Sequence, residues 1–187
     1  MPRQLLLPLA TALLAVGGCA STTTSQLVPS PQSPICQSTG KALILWLPQW
    51  RPDQKDVVAR EAAAEDGLAQ FFEKSGCFRT VLLRRLPGNS KDVVQGAVAE
   101  ARTRNEKVVL IVVRELGPTV KIGASIALVE GGTEVVLDLS EYEPNKPEPR
   151  TFTVRWRSGG PGTLNGVATL PQDMQAALEA GLQPPAR

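Results

Sequence analysis

Apolar residues along this chain alternate between short continuous runs and stretches with helical spacing. The run at residues 41–47, which ends at Pro48, is typical of a strand that is buried on both faces of a sheet. Apolar positions then recur at helical spacing up to residue 74, where Ser75 and Gly76 follow. This pattern predicts a helix that ends before the glycine.

The same succession of strand and helix continues through the middle of the chain. A second strand is predicted at residues 78–86, and a second helix follows it with Asn89 or Ser90 as the cap. Residues 107–113 form another continuous apolar run, which predicts a third strand in the interior of the sheet.

After the third strand the pattern changes to that of hairpins. Strands are predicted at residues 120–130 and 133–142, joined by a tight turn at Gly131 and Gly132. A last helix is predicted to begin near Thr169. The order β-α-β-α-β, a meander and a helix predicts a single α/β domain with a mixed sheet and three helices.

Composition excludes several classes of function. The chain has 187 residues, which suits one domain with appendages, and its formal net charge of +2 argues against a nucleic-acid binder. It contains no histidine, which excludes Ser-His-Asp catalysis and imidazole-bound zinc. Three cysteines are too few for a four-thiolate zinc site. We therefore expect neither a metal nor a cofactor.

The first residues have the features of a lipoprotein signal peptide. Arg3 supplies positive charge, and residues 5–16 form an apolar stretch that is too short to span a membrane. Val-Gly-Gly-Cys at residues 16–19 resembles a bacterial lipobox, whose cysteine is lipidated. We predict a signal peptide at residues 1–18 and lipidation of Cys19. The alternative is an ordinary signal peptide with a cysteine by chance.

The residues after Cys19 predict the location and the tether. Ala20 implies sorting to the outer membrane, because the signal for inner-membrane retention is typically Asp at this position. Residues 19–35 are rich in Ser, Thr and Pro and predict an unfolded tether, which reaches at most about 55 Å. A folded periplasmic domain at residues 36–183 and a disordered tail at 184–187 are predicted to follow.

Two cysteines remain once Cys19 is lipidated. Cys36 lies just before the first strand, and Cys77 lies between the first helix and the second strand. An even number of cysteines in an oxidising periplasm favours a disulfide between them, and two free buried thiols are the alternative. A catalytic thiol is not supported, because no histidine can activate it.

Residues 71–81 resemble a short motif of a known superfamily. Their sequence, Phe-Phe-Glu-Lys-Ser-Gly-Cys-Phe-Arg-Thr-Val, is similar to the L-x-x-S-G-x-F-x-x-V stretch of the TolB amino-terminal domain superfamily. That superfamily includes the curli secretion channel subunit, the LpoB-type activators of peptidoglycan synthases and PelC of polysaccharide export. The resemblance, which extends in element order over residues 41–180, implies an α/β fold and an outer-membrane lipoprotein.

Trp50 and Arg51 lie at the end of the first strand in a loop that Pro48 and Pro52 stiffen. An aromatic residue and an arginine in such a loop provide contact area at little entropic cost. We therefore predict that both contact a partner. The alternative is a lid that packs over the edge of the domain.

Arg155 and Arg157 are predicted to share one face of a strictly alternating strand. Together with the arginines at residues 84–85 they would form a cationic face for an anionic partner, provided that the two strands are neighbours. The alternative is a solvated face on which Glu134 or Asp138 lies across from the arginines.

We predict that the protein acts by binding and is not an enzyme. The close acid pairs, Glu65 with Asp66 and Glu141 with Glu143, are interpreted as surface charge. The predicted role is that of an accessory or scaffold of an envelope machine, for export or peptidoglycan synthesis. It would bind an envelope protein, and an oligomer is compatible with the sequence.

Two other functions remain open from the sequence. The first is a carrier of an apolar or anionic ligand, which a closed apolar cavity would favour. The second is a small envelope enzyme, which a cleft with strongly perturbed ionisable groups would favour.

Overall fold

The computed structural model describes residues 21–88, 91–122, 129–161 and 166–183. In these residues the strands and helices are β1 Thr22–Val28, β2 Gln37–Pro48, α1 Val57–Lys74, β3 Phe78–Arg85, α2 Lys91–Thr103, β4 Lys107–Ile122, β5 Val129–Tyr142, β6 Arg150–Pro161 and α3 Leu170–Leu182. They form one domain with a six-stranded mixed sheet and three helices, which confirms the predicted fold class.

The sheet has a parallel part and an antiparallel part. Its strand order is β1–β6–β5–β4–β2–β3. β2 pairs in parallel with both β3 and β4, and α1 and α2 make the two connections between these strands. On the other side of β4, the strands β5, β6 and β1 add in antiparallel pairs.

Helices lie on both faces of the sheet. α1 and α3 pack side by side on one face, over a core that includes Ile44, Trp46 and Val154. α2 packs on the other face, against Leu43 and Leu45. β2 is therefore buried on both faces, as its continuous apolar run predicts.

The face that carries α2 is covered only in part. The apolar residues beneath α2 come mainly from β2 and from the first residues of β4, such as Val108 and Leu110. The rest of this face runs across β5, β6 and β1, where the side chains are mostly polar. In the described part of the chain, no helix packs on that area.

The structure differs from the prediction of an unfolded tether at residues 19–35. Thr22–Val28 pairs with residues 153–159 of β6 and forms an edge strand. Every residue of this strand is exposed except Leu27, which is partly buried against the core. Apolar content does not reveal such a strand, because backbone hydrogen bonds hold it in place and not the burial of side chains.

The predicted turn at Gly131 and Gly132 is wrong. Both glycines lie inside β5, which pairs with β4 on one side and with β6 on the other. A Cβ atom on Gly132 would lie 2.5 Å from the carbonyl oxygen of Ser158, and one on Gly159 would lie 2.4 Å from that of Gly131. These glycines therefore allow the strands to approach each other closely. The residues that connect β4 to β5 lie outside the described part.

The strand predicted at residues 107–113 does not end there, because β4 continues into the residues that were predicted as a separate strand at 120–130. β2 ends opposite Val113, so the residues of β4 after Val113, which include Pro118, pair with β5 alone. Proline is tolerated where a strand has a partner on only one side. The register shifts between Val113 and Glu115, which makes Arg114 a bulged residue.

The structure joins Cys36 and Cys77 in the predicted disulfide, with Cα atoms 4.5 Å apart. The signal peptide, Cys19, the helix caps Asn89 and Ser90 and the carboxy-terminal tail all lie outside the described residues, so those assignments stay predictions. No helix in the described ranges is both long and apolar enough to cross a membrane.

Candidate functional site

The candidate site is the part of the sheet that no described helix covers, which we call the open face. Strand register places its side chains in rows that cross β5, β6 and β1. The open face consists of Glu134, Val136 and Asp138 of β5, Thr153, Arg155 and Arg157 of β6, and Thr24 and Gln26 of β1.

Ion pairs hold most of the charges on the open face. Arg157 Nη2 lies 2.7 Å from Glu134 Oε1, and Arg114 Nε lies 2.8 Å from Asp138 Oδ2. Asp138 also accepts a hydrogen bond of 2.7 Å from the hydroxyl of Thr153. Glu134 and Asp138 are the two acidic residues that the alternative prediction, a solvated face beside Arg155 and Arg157, expected here. Exposed pairs of this kind contribute little to stability.

Arg155 differs from the other arginines around the open face. It is exposed and forms no ion pair or hydrogen bond with any residue that the structure describes. Register places it between Val136 of β5 and Gln26 of β1, neither of which is charged. Its guanidinium donors are therefore available to a carboxylate, which arginine binds with two parallel hydrogen bonds.

Trp50 lies beside the open face in the loop between β2 and α1. Its ring is half-buried and packs against the core, and its indole Nε1–H donates to Glu61 Oε1 at 3.2 Å. The same glutamate accepts a hydrogen bond from Arg85. These contacts favour the interpretation of Trp50 as a lid over the edge of the domain, and the residue stays partly exposed.

Glu115 of β4 fixes the loop that carries Trp50 and Arg51. Its carboxylate lies 3.3 Å from Arg51 Nη2 and 3.0 Å from Nη1 of the buried Arg60. Arg60 also donates to the carbonyl oxygen of Leu116 at 2.6 Å. Gly117 makes room for this guanidinium, because a Cβ atom there would overlap it. The loop is thus preorganised on the sheet.

Two grooves meet on the open face. One has a volume of about 360 Å³ and is lined by Trp50 and Arg51 among others. The other has a volume of about 320 Å³ and is lined by Arg155 and Arg157. Glu134 lines both grooves. The structure therefore brings the four predicted contact residues onto one continuous surface.

The predicted cationic face that combines both arginine pairs is not formed. Arg84 and Arg85 belong to β3 at one edge of the sheet, whereas Arg155 and Arg157 belong to β6 near the opposite edge. The order of the strands separates the two pairs, and this order is not visible in the local pattern of either strand.

A second polar cluster is buried near the other end of β5. Lys107 Nζ donates to Glu141 Oε1 at 2.5 Å and to the carbonyl oxygen of Ile35 at 3.1 Å. Arg150 donates to Glu141 Oε2 at 2.7 Å and to the carbonyl oxygen of Ser33 at 2.8 Å. The side chain of Glu141 is only 1% exposed, so its interpretation as surface charge is wrong.

The alternation of apolar residues along β5 indicates that Glu141 is buried, although the pair of Glu141 and Glu143 was interpreted as surface charge. Val135, Leu137 and Leu139 alternate on the buried face of β5, and the same period continues to Glu141. A charged residue that continues a buried row is expected to have a partner, because an unpaired charge in the interior is costly. No comparable signal pointed to Glu115, whose partners come from a loop and a helix.

Tyr142 and Glu143, which lie outside the open face, have a shifted pKa. Burial raises the pKa of Tyr142, and a hydrogen bond from Lys146 lowers the pKa of Glu143. No cluster of three or more acidic or cysteine side chains that could hold a metal occurs in the described residues.

Replacing Trp50 by alanine is expected to lower the free energy of unfolding by about 2 kcal/mol, because the half-buried ring packs against the core. Trp50→Phe is the matched control, since it keeps most of the packing and removes only the hydrogen bond to Glu61, at a cost of about 1 kcal/mol. Urea unfolding measures both. A Trp50→Ala variant as stable as the wild type would show that the ring serves a partner and not the core.

Comparisons with known proteins give similarities to solved structures only. No family model and no curated protein matches the sequence. The PelC dodecamer from Paraburkholderia phytofirmans is 15% identical, with a TM-score of 0.48 over 88% of this chain and 100% of that chain. The hypothetical protein CT253 from Chlamydia trachomatis is 10% identical, with a TM-score of 0.45 over 78% and 98% of the two chains.

Lipoprotein GNA1162 from Neisseria meningitidis is a further similar structure. It is 13% identical, with a TM-score of 0.39 over 75% of this chain and 96% of that chain. Similarity at these levels is not evidence of function. The resemblance to the TolB amino-terminal domain superfamily stays a prediction, because no family model matches the chain.

Proposed function

We propose that this protein is a lipid-anchored accessory protein of the bacterial outer membrane, which binds a partner protein and is not an enzyme. The observation that carries the proposal is the open face, where Arg155 is exposed, forms no ion pair with a described residue and lines one of the two grooves. Cys19 would hold the domain at the membrane through its acyl chains. The partner would be another envelope protein.

The shape of the open face supports docking of a protein over the binding of a small ligand. Its two grooves are open to solvent and lined largely by charged and hydroxyl side chains. A carrier of an apolar ligand would instead enclose that ligand in an apolar cavity. General acid–base catalysis would need carboxylates directed at a substrate, whereas Glu134 and Asp138 are engaged by arginines.

The charges on this surface define the chemistry of the partner. Arginines outnumber carboxylates around the grooves, and Glu115 is shared between Arg51 and the buried Arg60. An acidic surface with a carboxylate opposite Arg155 would therefore be complementary. Arginine is enriched among the residues that dominate the energetics of such interfaces, which gives Arg155 the leading role, with the exposed part of Trp50 beside it.

Replacing Arg155 by glutamate is expected to weaken binding of the partner by about 2 kcal/mol or more, because it reverses the charge at the centre of the contact. Arg84→Glu is the matched control, since Arg84 is also exposed and makes no ion pair with a described residue, but lies near the opposite edge of the sheet.

The measurement is photo-crosslinking in intact cells from a reactive residue at position 26, which faces Arg155 across β1 and β6. A discrete crosslinked complex should form with the wild type and with Arg84→Glu, and it should be strongly reduced with Arg155→Glu. The proposal is wrong if the two arginine variants behave alike.

Replacing Cys19 by serine is expected to release the protein from the membrane, because the thiol that carries the lipid is lost. Wild-type protein should fractionate with the outer membrane and incorporate labelled palmitate, and Cys19→Ser should do neither. A variant that stays with the membranes unchanged would refute the lipid anchor.

A further inference from the structure

The position of β1 sets how far the folded domain can lie from its anchor. Thr22, the first residue of β1, follows Cys19 by only three residues. Three fully extended residues span at most about 11 Å. The unfolded tether predicted from the sequence would have allowed about 55 Å. Pairing of β1 with β6 thus shortens the reach of the anchor several-fold.

β1 cannot shift along β6 to lengthen the tether, because the chain is held on both sides of it. At its start, the hydroxyl of Thr22 donates to the carbonyl oxygen of Gly159 at 3.2 Å. Beyond its end, Ile35 is fully buried, and its carbonyl oxygen accepts from Lys107. The disulfide at Cys36 follows directly.

The anchored end of β1 belongs to a projecting end of the sheet. Thr22, Gly159, Gly132 and Thr119 lie side by side in register, and we call these four residues the tip row. The tip row lies well beyond Val113, where β2 ends, so only β4, β5, β6 and β1 reach it, and β4 and β5 stay paired for three further residues, to Ile122 and Val129. The described side chains of the tip row are neutral hydroxyls, separated by glycines.

A groove of about 440 Å³ opens beside the tip row. Hydroxyl side chains and glycines line it, together with the ion pair of Arg157 and Glu134. Arg157 and Glu134 neutralise each other, so this end of the sheet carries no net charge from the pair. Neutral hydroxyls and exposed backbone of the tip row are compatible with the hydrated head-group layer.

The helices prevent the domain from lying flat on the membrane. α1 and α3 project from one face of the sheet, and α2 projects from the other. A planar bilayer that approached either face would therefore meet a helix before it met the whole of the sheet. The tip row, by contrast, lies next to the anchor.

We infer that the domain stands on the bilayer with the end of the sheet that carries the tip row directed toward the phospholipid head groups and the opposite end directed away from the membrane. The inference rests on the lipid anchor at Cys19 that is part of the proposed function. The orientation leaves the open face at right angles to the membrane, accessible to a protein partner.

Energy transfer to the membrane surface tests this orientation. Full-length lipoprotein carrying a fluorescent amino acid at position 119 or at position 146 is reconstituted in vesicles of phosphatidylethanolamine and phosphatidylglycerol with an acceptor on the head groups. Lys146 lies past the far end of β5, about 34 Å from the tip row if the strand is straight. Transfer from position 119 should exceed transfer from position 146 several-fold.

The outcomes separate the orientation from the anchor. Flotation of the vesicles reports whether the protein is anchored at all, and protein that does not float would overturn the lipid anchor and the inference together. Floating protein with equal transfer from both positions, or with stronger transfer from position 146, would overturn the orientation alone. Hydrogen exchange of the unlabelled protein is the second measurement, because the backbone amide of Thr119 should gain protection in vesicles and those of Glu143, Asn145 and Lys146 should not.

Discussion

Replacing Glu141 by glutamine is expected to lower the free energy of unfolding by about 3–5 kcal/mol, because it leaves the ammonium group of Lys107 buried without its counter-charge. Lys107 and Glu141 are 6% and 1% exposed at their side chains, so water cannot replace the lost partner. Arg150 loses the same carboxylate, and with it part of the contact that holds Ser33. Urea unfolding of the purified protein measures the loss.

Two controls separate the buried charge from the general effect of removing a carboxylate. Glu143→Gln removes an exposed pair with Lys146 beside the same strand end and should cost at most about 1 kcal/mol. A double variant with Lys107→Met and Glu141→Leu removes both buried charges and should be more stable than Glu141→Gln alone. A Glu141→Gln variant that unfolds within 1 kcal/mol of the wild type, on the order of the surface pair, would contradict the buried cluster.

Removing the disulfide by Cys36→Ala and Cys77→Ala together is expected to lower the free energy of unfolding by about 4 kcal/mol. The bond joins residues 41 positions apart, so it removes many conformations from the unfolded chain. Cys77 is buried, and alanine is small enough to replace it without overpacking.

Mass spectrometry of unreduced protein from the periplasm establishes whether the bond forms, and urea unfolding of the double variant gives its contribution. Reduction of the wild type should reproduce the loss seen in the double variant. Two thiols that can be alkylated in unreduced protein, or a double variant as stable as the wild type, would contradict the prediction.

The parallel half of the sheet follows from the sequence because its signals are local. β2 and the first half of β4 are continuous apolar runs, and the two helices between them have apolar residues at helical spacing. Burial on both faces requires such runs, so strands of this kind can be recognised one at a time.

The antiparallel half of the sheet was predicted only in part from the sequence, because the interactions that form it are not local. β1 has almost no buried side chain and is held by its backbone pairing with β6. Gly131 and Gly132 have the composition of a tight turn, yet they lie within a strand because Gly159 and Gly160 approach them from β6. A glycine pair has the same composition in both cases, and only the neighbouring strand distinguishes them.

In the candidate site, too, one feature follows from the local sequence and another depends on the tertiary structure. That Arg155 and Arg157 share a face follows from the two-residue period of a strand and needs no knowledge of the fold. The neighbours of each arginine depend on strand order and register, which bring Glu134 opposite Arg157 and leave Arg155 between Val136 and Gln26. These long-range pairings leave no trace in the local pattern, and they explain why one arginine is neutralised while the other remains available to a partner.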